Sequence, residues 1–383
     1  MRRLPKGAAA SLSLLLALGG TAATDHAAAA ATVNVSEILV DPAMAGDVKM
    51  LADIDGDGLL DPMVGGGPDE ALTWYRFPSL EAYRIAPPLV QFTTDGEAAD
   101  VDGDGDPDVV VPDGNGTDNL VWLENPRPAA DPAIGEAWTR RVIGTIGDWG
   151  KDVETADYDG DGRMDVAIRG KTAVLAFFQR APGTWRKVRL ATIANGEGMA
   201  RGDVDMDGQV DLVVQGAWLR NPGGSRAWTA SAWKSYPIGT APQNLKALVA
   251  DIDGDRRPEV IYSSSENTAN ITIWSRTAGN NMAGWSPRVA MSNVERAHTL
   301  QAGDMDGDGD TDLVVGQMHT SALKRIMVLE NLDGIGLQWQ VQQIGEGGLH
   351  DGIVADIDRD GDPDLFGANW TGNPPVRLWL NER

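Results

Sequence analysis

Cysteine is absent from this chain of 383 residues, so disulfide bonds, a catalytic cysteine and a cysteine-linked lipid anchor are excluded. Basic residues are few, since 32 Lys and Arg stand against 56 Asp and Glu for a formal net charge of −24. A protein that binds nucleic-acid backbone needs Lys and Arg gathered on one face, so we expect no nucleic-acid partner. The sequence also lacks a G-x-S-x-G motif, a P-loop and a dinucleotide-binding fingerprint, which argues against serine hydrolases and nucleotide-dependent enzymes.

Long apolar runs are missing as well. The run from Ala8 to Leu18 is too short for the roughly 20 residues of a membrane-spanning helix. It follows the basic start "MRRLPK" and precedes "AATDHAAAAAT", an arrangement typical of a secretory signal with cleavage near Ala30 or Ala31. The Arg2–Arg3 pair matches a twin-arginine signal only weakly, so general secretion is favoured. We predict that residues 1–31 are a signal peptide, that residues 32–383 are the mature chain, and that the protein is secreted or periplasmic.

Aspartate is abundant in one repeated pattern, D-h-D-x-D-x-x-x-D/E, where h is apolar. Its seven copies begin 46 to 57 residues apart, and a period near fifty predicts a repeat architecture. The four acidic positions of the pattern, repeated seven times, account for half of the 56 acidic residues, so the negative charge is concentrated in these loops. The copies are "DIDGDGLLD", "DVDGDGDPD", "DYDGDGRMD", "DVDMDGQVD", "DIDGDRRPE", "DMDGDGDTD" and "DIDRDGDPD".

Carboxylates crowded into one turn repel one another, and a hard divalent cation removes that repulsion. Ca²⁺ takes six to eight oxygens, and a loop with acids at positions 1, 3 and 5, a carbonyl at 7 and a final acid supplies them. Here the final acid stands at position 9, three positions earlier than in an EF-hand. We therefore predict Ca²⁺ as a cofactor that stabilises the fold. The predicted ligands are Asp53, Asp55, Asp57 and Asp61; Asp100, Asp102, Asp104 and Asp108; Asp157, Asp159, Asp161 and Asp165; Asp203, Asp205, Asp207 and Asp211; Asp251, Asp253, Asp255 and Glu259; Asp304, Asp306, Asp308 and Asp312; and Asp356, Asp358, Asp360 and Asp364.

The fifth loop departs from the pattern at two positions. Six loops have glycine at position 6, which allows a positive φ at little steric cost, whereas the fifth has Arg256 there. It also closes with Glu259 where the others have Asp. We expect this loop to bind calcium most weakly.

Each acidic loop lies between strand-like segments. An apolar segment precedes it, a run such as "DLVVGQ" follows, then come a strand with a shared ending ("LVWLENP", "VRLWLNER") and another that often starts with Trp. Four strands per repeat, A to D, predict an all-β, seven-bladed β-propeller with calcium-binding A–B loops. The last repeat lacks strand D and the mature N-terminus has an unused strand, "TVNVSEILV". We predict that this strand closes the ring by pairing there, since closure removes an open sheet edge.

These D-x-D-G-D-G-x-x-D loops, followed by "DLVVG"-like strands, resemble the FG-GAP/VCBS repeats of integrin alpha chains and some fungal lectins. The resemblance covers essentially the whole mature chain. It implies a seven-bladed propeller and bound calcium. It does not imply one activity, because this scaffold serves adhesion, glycan binding and some lyase or dehydratase enzymes.

The face opposite the A–B loops holds the candidate pocket, because strands A begin there. Five of the seven residues found six positions before each loop are ionisable, where an inert channel needs only small or apolar side chains. These seven residues are Asp47, Thr94, Lys151, Glu197, Leu245, His298 and His350. Asp95 and Asp351 are neighbours of this ring in sequence.

Three histidines remain in the mature chain, and all map to this face: His298, His319 and His350. Histidine beside carboxylate suits acid–base chemistry near neutral pH, and an aromatic ring beside polar groups suits a sugar. Three histidines also suit a transition metal, although no tight metal-binding spacing is present. The candidate acid–base residues are His298, His350, Asp351, Glu197 and Lys151. The candidate ligand-binding residues are Asp47, Asp95, Trp149, His319 and Trp370.

Three functions stay open from the sequence. The favoured one is an exported, monomeric propeller that binds a carbohydrate or another small molecule on the face opposite the calcium loops. The second is an enzyme, a lyase, dehydratase or cyclase-type isomerase, with one central acid–base site built on His298 and His350. The third is a scaffold for protein contacts. Trp149 and Trp370, which lie outside the repeated Trp positions, do not recur from blade to blade, so a single site is favoured over a ring of equivalent sites.

Overall fold

The sequence repeat becomes a repeat of four antiparallel strands. The computed structural model describes residues 32–66, 71–85, 94–114, 118–277, 282–371 and 375–383, and the predicted signal peptide, residues 1–31, lies outside them. Within these residues the strands form seven four-stranded sheets. The protein is an all-β, seven-bladed β-propeller, as predicted.

The first four blades follow the chain in the order A, B, C, D. Blade one contains β2 (Val48–Ala52), β3 (Asp61–Gly66), β4 (Ala71–Arg76) and β5 (Glu81–Ile85). Blade two contains β6 (Glu97–Ala99), β7 (Asp108–Asp113), β8 (Asn119–Glu124) and β9 (Thr139–Thr145). Blade three contains β10 (Gly150–Ala156), β11 (Asp165–Gly170), β12 (Ala173–Ala181) and β13 (Thr184–Thr192). Blade four contains β14 (Met199–Gly202), β15 (Asp211–Val214), β16 (Ala217–Arg220) and β17 (Lys234–Pro237).

The last three blades repeat this order, except that the seventh takes its outer strand from the start of the described chain. Blade five contains β18 (Leu245–Ala250), β19 (Glu259–Ser264), β20 (Thr268–Arg276) and β21 (Trp285–Glu295). Blade six contains β22 (Ala297–Gly303), β23 (Asp312–Gln317), β24 (Ile326–Asn331) and β25 (Trp339–Gly345). Blade seven contains β26 (His350–Ala355), β27 (Asp364–Ala368), β28 (Val376–Asn381) and β1 (Val35–Asp41). Short 3₁₀ helices span Gly135–Ala137, Gly224–Trp228 and Ala230–Ala232.

The N-terminal strand β1 lies antiparallel to β28, with Val35 opposite Asn381 and Leu39 opposite Arg377. Strand A of the first blade, β2, also contacts strand A of the seventh, β26. Gly46 N donates a hydrogen bond to Asn369 O between these blades, at 3.2 Å. The first and last blades are therefore neighbours, held by backbone contacts.

Strands B are buried throughout, and so are most residues of strands C, because each sheet is packed between two others. Every residue of β7 and of β23 is buried, and their sequences, DVVVPD and DLVVGQ, are almost uninterrupted apolar runs. The outer strands D mix exposed and half-buried residues, as in β25. This is the pattern expected of a strand with one face toward a neighbouring blade and one toward solvent.

Neighbouring blades are joined by a repeated side-chain hydrogen bond. Asn125, at the end of strand C in blade two, donates from Nδ2 to the carbonyl of Ile54 in the loop of blade one, at 3.1 Å. Asn221, Asn331 and Asn381 make the same contact from blades four, six and seven to the loop of the preceding blade, and Gln179 makes it from blade three. Each of these amides is buried, so the bond satisfies polar groups that water cannot reach.

In the residues that the structure describes, no helix has the length and apolar character needed to cross a bilayer.

Candidate functional site

The seven acidic loops share one backbone geometry. In each, the carboxylate at position 1 accepts a hydrogen bond from the backbone N–H at position 6, for example Asp53 from Gly58 at 3.0 Å and Asp304 from Gly309 at 3.1 Å. The backbone at positions 4 and 6 has positive φ in every loop, including Arg256 at +70° and Met206 at +61°. The fifth loop therefore keeps the common geometry although it lacks the glycine.

The acid at position 9 fastens the loop to its blade. Asp61 is fully buried; its Oδ2 accepts from Ile54 N at 3.0 Å and its Oδ1 from Phe77 N at 2.9 Å. Burial raises the pKa of Asp61 to about 7, although these backbone bonds oppose the rise. The other loops repeat the contact to position 2, and Glu259 does so in the fifth. The closing acid thus has a clear structural role, with lone pairs left over for a cation.

The loops fit a divalent cation. Oxygen atoms of Asp53, Asp55 and Asp57 lie within 4.8 Å of one another, and the same holds for Asp100, Asp102 and Asp108 and for Asp157, Asp159 and Asp165. The Oδ1 atoms of Asp53, Asp205, Asp251 and Asp356 are buried with no hydrogen-bond partner among the described residues. Inward carboxylate oxygens without partners are costly unless a cation meets them.

Arginines approach several loops from outside. Arg220 makes ion pairs of 2.5 Å with both Asp205 and Asp207, and Arg76 makes one of 2.7 Å with Asp55. These guanidinium groups neutralise part of the loop charge. They leave the inward oxygen of Asp205 free, so they complement a cation without replacing it.

A cavity of about 380 Å³ opens on the opposite face of the ring. Six of the seven residues found six positions before the loops line it: Asp47, Thr94, Lys151, Glu197, His298 and His350. Leu245 is the exception, being fully buried against the packing between blades. Its neighbour Lys246 lines the cavity in its place. A second cavity of about 350 Å³ lies deeper along strands A and shares Lys246, His298 and Asp351 with the first.

Irregular strand starts explain why this cavity is so polar. The register of β10 shifts between Gly150 and Asp152, and that of β26 between His350 and Ile353. A shift of this kind inserts an extra residue into one strand and re-aims its side chain. Consecutive residues, Lys151 with Asp152 and His350 with Asp351, therefore both face the cavity. Asp351 has a φ of +52°, a conformation that Asp tolerates better than most residues.

Two stacked histidines form the centre of the site. The rings of His298 and His350 lie 3.7 Å apart at 23°, and both residues are about 5 % exposed. Asp351 bridges them: its Oδ2 lies 3.0 Å from His350 Nδ1 and its Oδ1 3.4 Å from His298 Nδ1. Lys246 Nζ contacts Asp351 Oδ1 directly. The geometry places one carboxylate among three nitrogen-bearing side chains.

The pKa values of the two histidines are shifted in opposite directions. Burial alone would lower the pKa of His298, but the carboxylates of Asp351 and Glu197 raise it above its usual value. Burial and the charge of His298 hold the pKa of His350 well below its usual value. Burial opposes ionisation of Asp351, yet Lys246 and the two histidines hold its pKa well below the usual range. Of the two stacked rings, His298 is therefore the more basic.

Glu197 links the histidines to Lys151. Its Oε1 accepts from Lys151 Nζ at 3.1 Å, while its Oε2 accepts from Ser265 Oγ at 3.2 Å and lies 3.6 Å from His298 Nε2. Burial would raise the pKa of Glu197, but the bond to His298 and the charge of Lys151 lower it. By contrast, burial raises the pKa of Asp47, across the cavity, to about 6.

The remaining predicted residues are divided among different places. Trp370 lines the cavity and is 41 % exposed. His319 lies 6.2 Å from the Trp370 ring but lines a separate crevice. Asp95 belongs to the deeper cavity, where its Oδ2 accepts from Val153 N at 2.9 Å. Trp149 is not among the residues that line either central cavity; its ring lies under the Lys171 ammonium, at 5.8 Å.

Sequence reasoning missed two central lysines. Lys246 carries the main positive charge beside Asp351. The negative charge of Asp351 raises the pKa of Lys246, although burial opposes the rise. Lys49 is 4 % exposed, donates to the carbonyls of Gly46 and Asp47, and lies 3.2 Å from His350 Nδ1. Burial lowers the pKa of Lys49 to about 8. The available signal in the sequence was their position near the start of strand A. Lys246 comes one residue after Leu245, and Lys49 comes two residues after Asp47.

Family models match this chain over most of its length. FG-GAP-like repeats are recognised at residues 53–111, 100–168, 157–214, 251–315 and 304–367. The chain belongs to the FG-GAP-like repeat family. The predicted resemblance is thereby confirmed. Among curated proteins, no sequence match was found.

Solved structures share the propeller fold at low identity. A lectin from Agrocybe aegerita, described as recognising non-reducing terminal N-acetylglucosamine, is 15% identical with a TM-score of 0.51, covering 91% of this chain and 86% of that one. BBS1N, in complex with ARL6DN, is 12% identical with a TM-score of 0.58, covering 92% and 97%. At these identities the likeness concerns the fold alone. An FG-GAP propeller is consistent with a binding or interaction role.

Proposed function

We propose that this FG-GAP propeller is an exported, calcium-stabilised protein that binds a carbohydrate in the central cavity opposite the acidic loops. The observation that carries the proposal is the half-exposed Trp370 in the 380 Å³ cavity, whose other lining side chains are charged or polar except for Met318. An exposed indole covers the apolar face of a sugar ring, while carboxylates and ammonium groups take its hydroxyls. A volume of about 380 Å³ lies within the range of ordinary small-molecule sites.

The charges in the cavity favour a neutral sugar. Lys151 is paired with Glu197 and Lys246 with Asp351, and Arg296 is paired with Glu295. Each cation that lines the cavity thus already has a carboxylate partner. A ligand carboxylate would compete with these acids, whereas hydroxyl groups can both donate to the carboxylates and accept from the cations.

The fold likeness to the Agrocybe aegerita lectin is compatible with this proposal, because it places a sugar-recognising protein on the same architecture. The predicted export also suits a glycan ligand, since surface polymers are met outside the cytoplasm.

Replacement of Trp370 by Ala tests sugar binding. Loss of a covered aromatic ring costs about 1.5–3 kcal/mol, so the variant should bind a glycan identified on an array roughly tenfold to hundredfold more weakly. Trp149→Ala is the matched control, because Trp149 is not among the residues that line the cavity, and it should bind as wild type does. If the two variants bind equally well, the sugar does not sit against Trp370 and the proposal is wrong.

An acid–base enzyme is the second candidate, favoured by the stacked histidines. Environments that push two pKa values apart mark an acid and a base, and here the pKa of His298 is raised while that of His350 is lowered. A lyase or dehydratase needs such a pair beside its substrate. Screening wild type and His350→Ala on polyuronides and dehydratable sugars separates the candidates. Turnover that His350→Ala abolishes while ligand binding persists identifies an enzyme, and binding without turnover in wild type identifies a lectin.

A further inference from the structure

A third cavity, of about 290 Å³, lies between blades six and seven on the face opposite the acidic loops. The B–C connection of blade six, the D–A connection that follows it and β28 form its walls. His319, Lys324, Asn369, Arg377 and Trp379 are among the residues that line it. We refer to this cavity as the blade 6–7 crevice. It has no lining residue in common with the central cavity.

The charge of the crevice is opposite to that of the chain. No acidic residue is among the described residues that line it, although the chain has a net charge of −24 and five carboxylates line the central cavity. For Lys324 Nζ, the described part of the structure contains no hydrogen bond or ion pair. Arg377 is paired with Glu37 of β1, with 3.2 Å between Arg377 Nε and Glu37 Oε1. Its Nη1 donates a hydrogen bond to Glu346 O at 3.0 Å. The crevice thus presents cationic groups of which one is unpaired.

Two buried polar atoms in the crevice also lack partners. Asn369 is 2 % exposed; its Nδ2 donates to Gly348 O at 3.2 Å, while its Oδ1 has no partner among the described residues. The same is true of His319 Nδ1. A buried polar atom without a partner is unfavourable, and a hydroxyl group can satisfy either of these atoms.

The walls of the crevice are held in place before any ligand arrives. Gly348 N donates to Lys324 O at 2.9 Å, and Leu349 N donates to Gln317 O at 2.8 Å. The backbones are so close that a Cβ on Gly348 would lie 2.4 Å from His319 N. Because both connections are fixed, binding costs little ordering of the protein.

We propose that the blade 6–7 crevice binds a small hydroxylated oxyanion, such as the carboxylate end of a sugar acid. Arg377 and Lys324 meet the oxyanion, since charge-assisted bonds from these side chains are stronger than neutral ones. By rotation of their side chains, the buried Asn369 Oδ1 and His319 Nδ1 meet the neighbouring hydroxyls. This site is independent of sugar binding in the central cavity, because the two cavities have no lining residue in common.

Titration calorimetry on the mature chain with D-glucuronate, D-glucose and sodium sulfate tests the proposal. Glucuronate should bind at least tenfold more tightly than glucose, which lacks the anion. Sulfate should compete with glucuronate but bind at least tenfold more weakly, because it offers no hydroxyl to Asn369. The Trp379 indole N–H signal in an NMR spectrum should shift with glucuronate, which places the ligand at the crevice.

Two variants and a control identify the cations. Arg377→Gln should weaken glucuronate binding at least tenfold, and Lys324→Gln several-fold, with little effect on glucose. Lys324→Gln is the safer test, since Lys324 is exposed and its ammonium holds no partner. Lys234→Gln, which removes the same charge from the outer strand of blade four, should bind as wild type does. Three results would each overturn the proposal. They are equal affinity for glucose and glucuronate, no binding of either anion at about 10 mM, and unchanged binding in both crevice variants. Sulfate as tight as glucuronate would overturn the hydroxyl contacts.

Discussion

Excess EGTA is expected to lower the melting temperature of this protein by more than about 10 °C. A ligand that binds only the folded state stabilises it by about 2.7 kcal/mol at one hundred times its Kd, and the chain offers seven loops. No disulfide assists the fold, since cysteine is absent. Differential scanning calorimetry in calcium and in EGTA measures the difference, with magnesium added back as the control for a general ionic effect. An unchanged melt in EGTA would mean that the loops do not hold structural calcium.

Single loops should differ in their contribution. Asp306→Asn, at position 3 of the sixth loop, should lower the melting temperature in calcium more than Asp253→Asn, the matched change in the fifth. In the fifth loop, Arg288 Nη2 lies 3.9 Å from Glu259 Oε2, and Arg256 stands where other loops have glycine. Both charges oppose a bound cation. Equal losses in the two variants would contradict the predicted weakness of the fifth loop.

The fold was predictable because the repeated acidic loops mark the same position in every blade. Loops that begin 46 to 57 residues apart fix where each strand A ends and each strand B begins. The buried strands then follow as apolar runs, as in β7 and β23. Even the position six residues before each loop was informative, since six of those seven residues line the central cavity.

The details of the site were not predictable, because they depend on strand irregularities. Side chains alternate along a strand, so a shift of one residue exchanges the cavity face for the core. In blade five the pairing of β18 with β19 is regular, and Leu245 lies in the core while Lys246 lines the cavity. In blade seven the register shift after His350 brings Asp351 inward as well. Nothing in the local sequence shows which blades carry such a shift.

The contacts between blades were equally hidden. The shared strand ending that contains Asn125, Asn221, Asn331 and Asn381 is visible in the sequence. The partner of each amide is a loop carbonyl 63 to 76 residues away in three cases and 79 in the fourth. Sequence spacing alone does not predict contacts between groups so far apart in the chain. The ring arrangement of the blades brings them together.

Asp351→Asn is expected to be the most destabilising single change in the central site. Asp351 contacts the buried ammonium of Lys246 and both histidines. The substitution leaves the buried Lys246 ammonium without this carboxylate, and breaking a buried ion pair in this way costs about 3–5 kcal/mol. Asparagine keeps the shape and tolerates the positive φ of this position, so the loss reports charge. Urea unfolding in saturating calcium measures it.

Asp47→Asn provides the matched control, because burial raises the pKa of Asp47 to about 6 where that of Asp351 is held low. The pKa of Asp47 is higher in the folded state than the ordinary value of 3.8 that it has in the unfolded chain. Ionisation of Asp47 therefore destabilises the fold, increasingly from pH 4 to pH 6 and by a constant amount at higher pH. Asp47→Asn should therefore be neutral near pH 4 and stabilising by roughly 1–3 kcal/mol at pH 7. Asp351 works in the opposite sense: its contribution is complete above about pH 4 and is lost only as the pH falls through its lower folded pKa. The change in unfolding free energy relative to wild type, measured at pH 5 and pH 7, should thus be opposite in sign for the two variants. Equal losses of stability in both variants at both pH values would show that the two carboxylates share one environment.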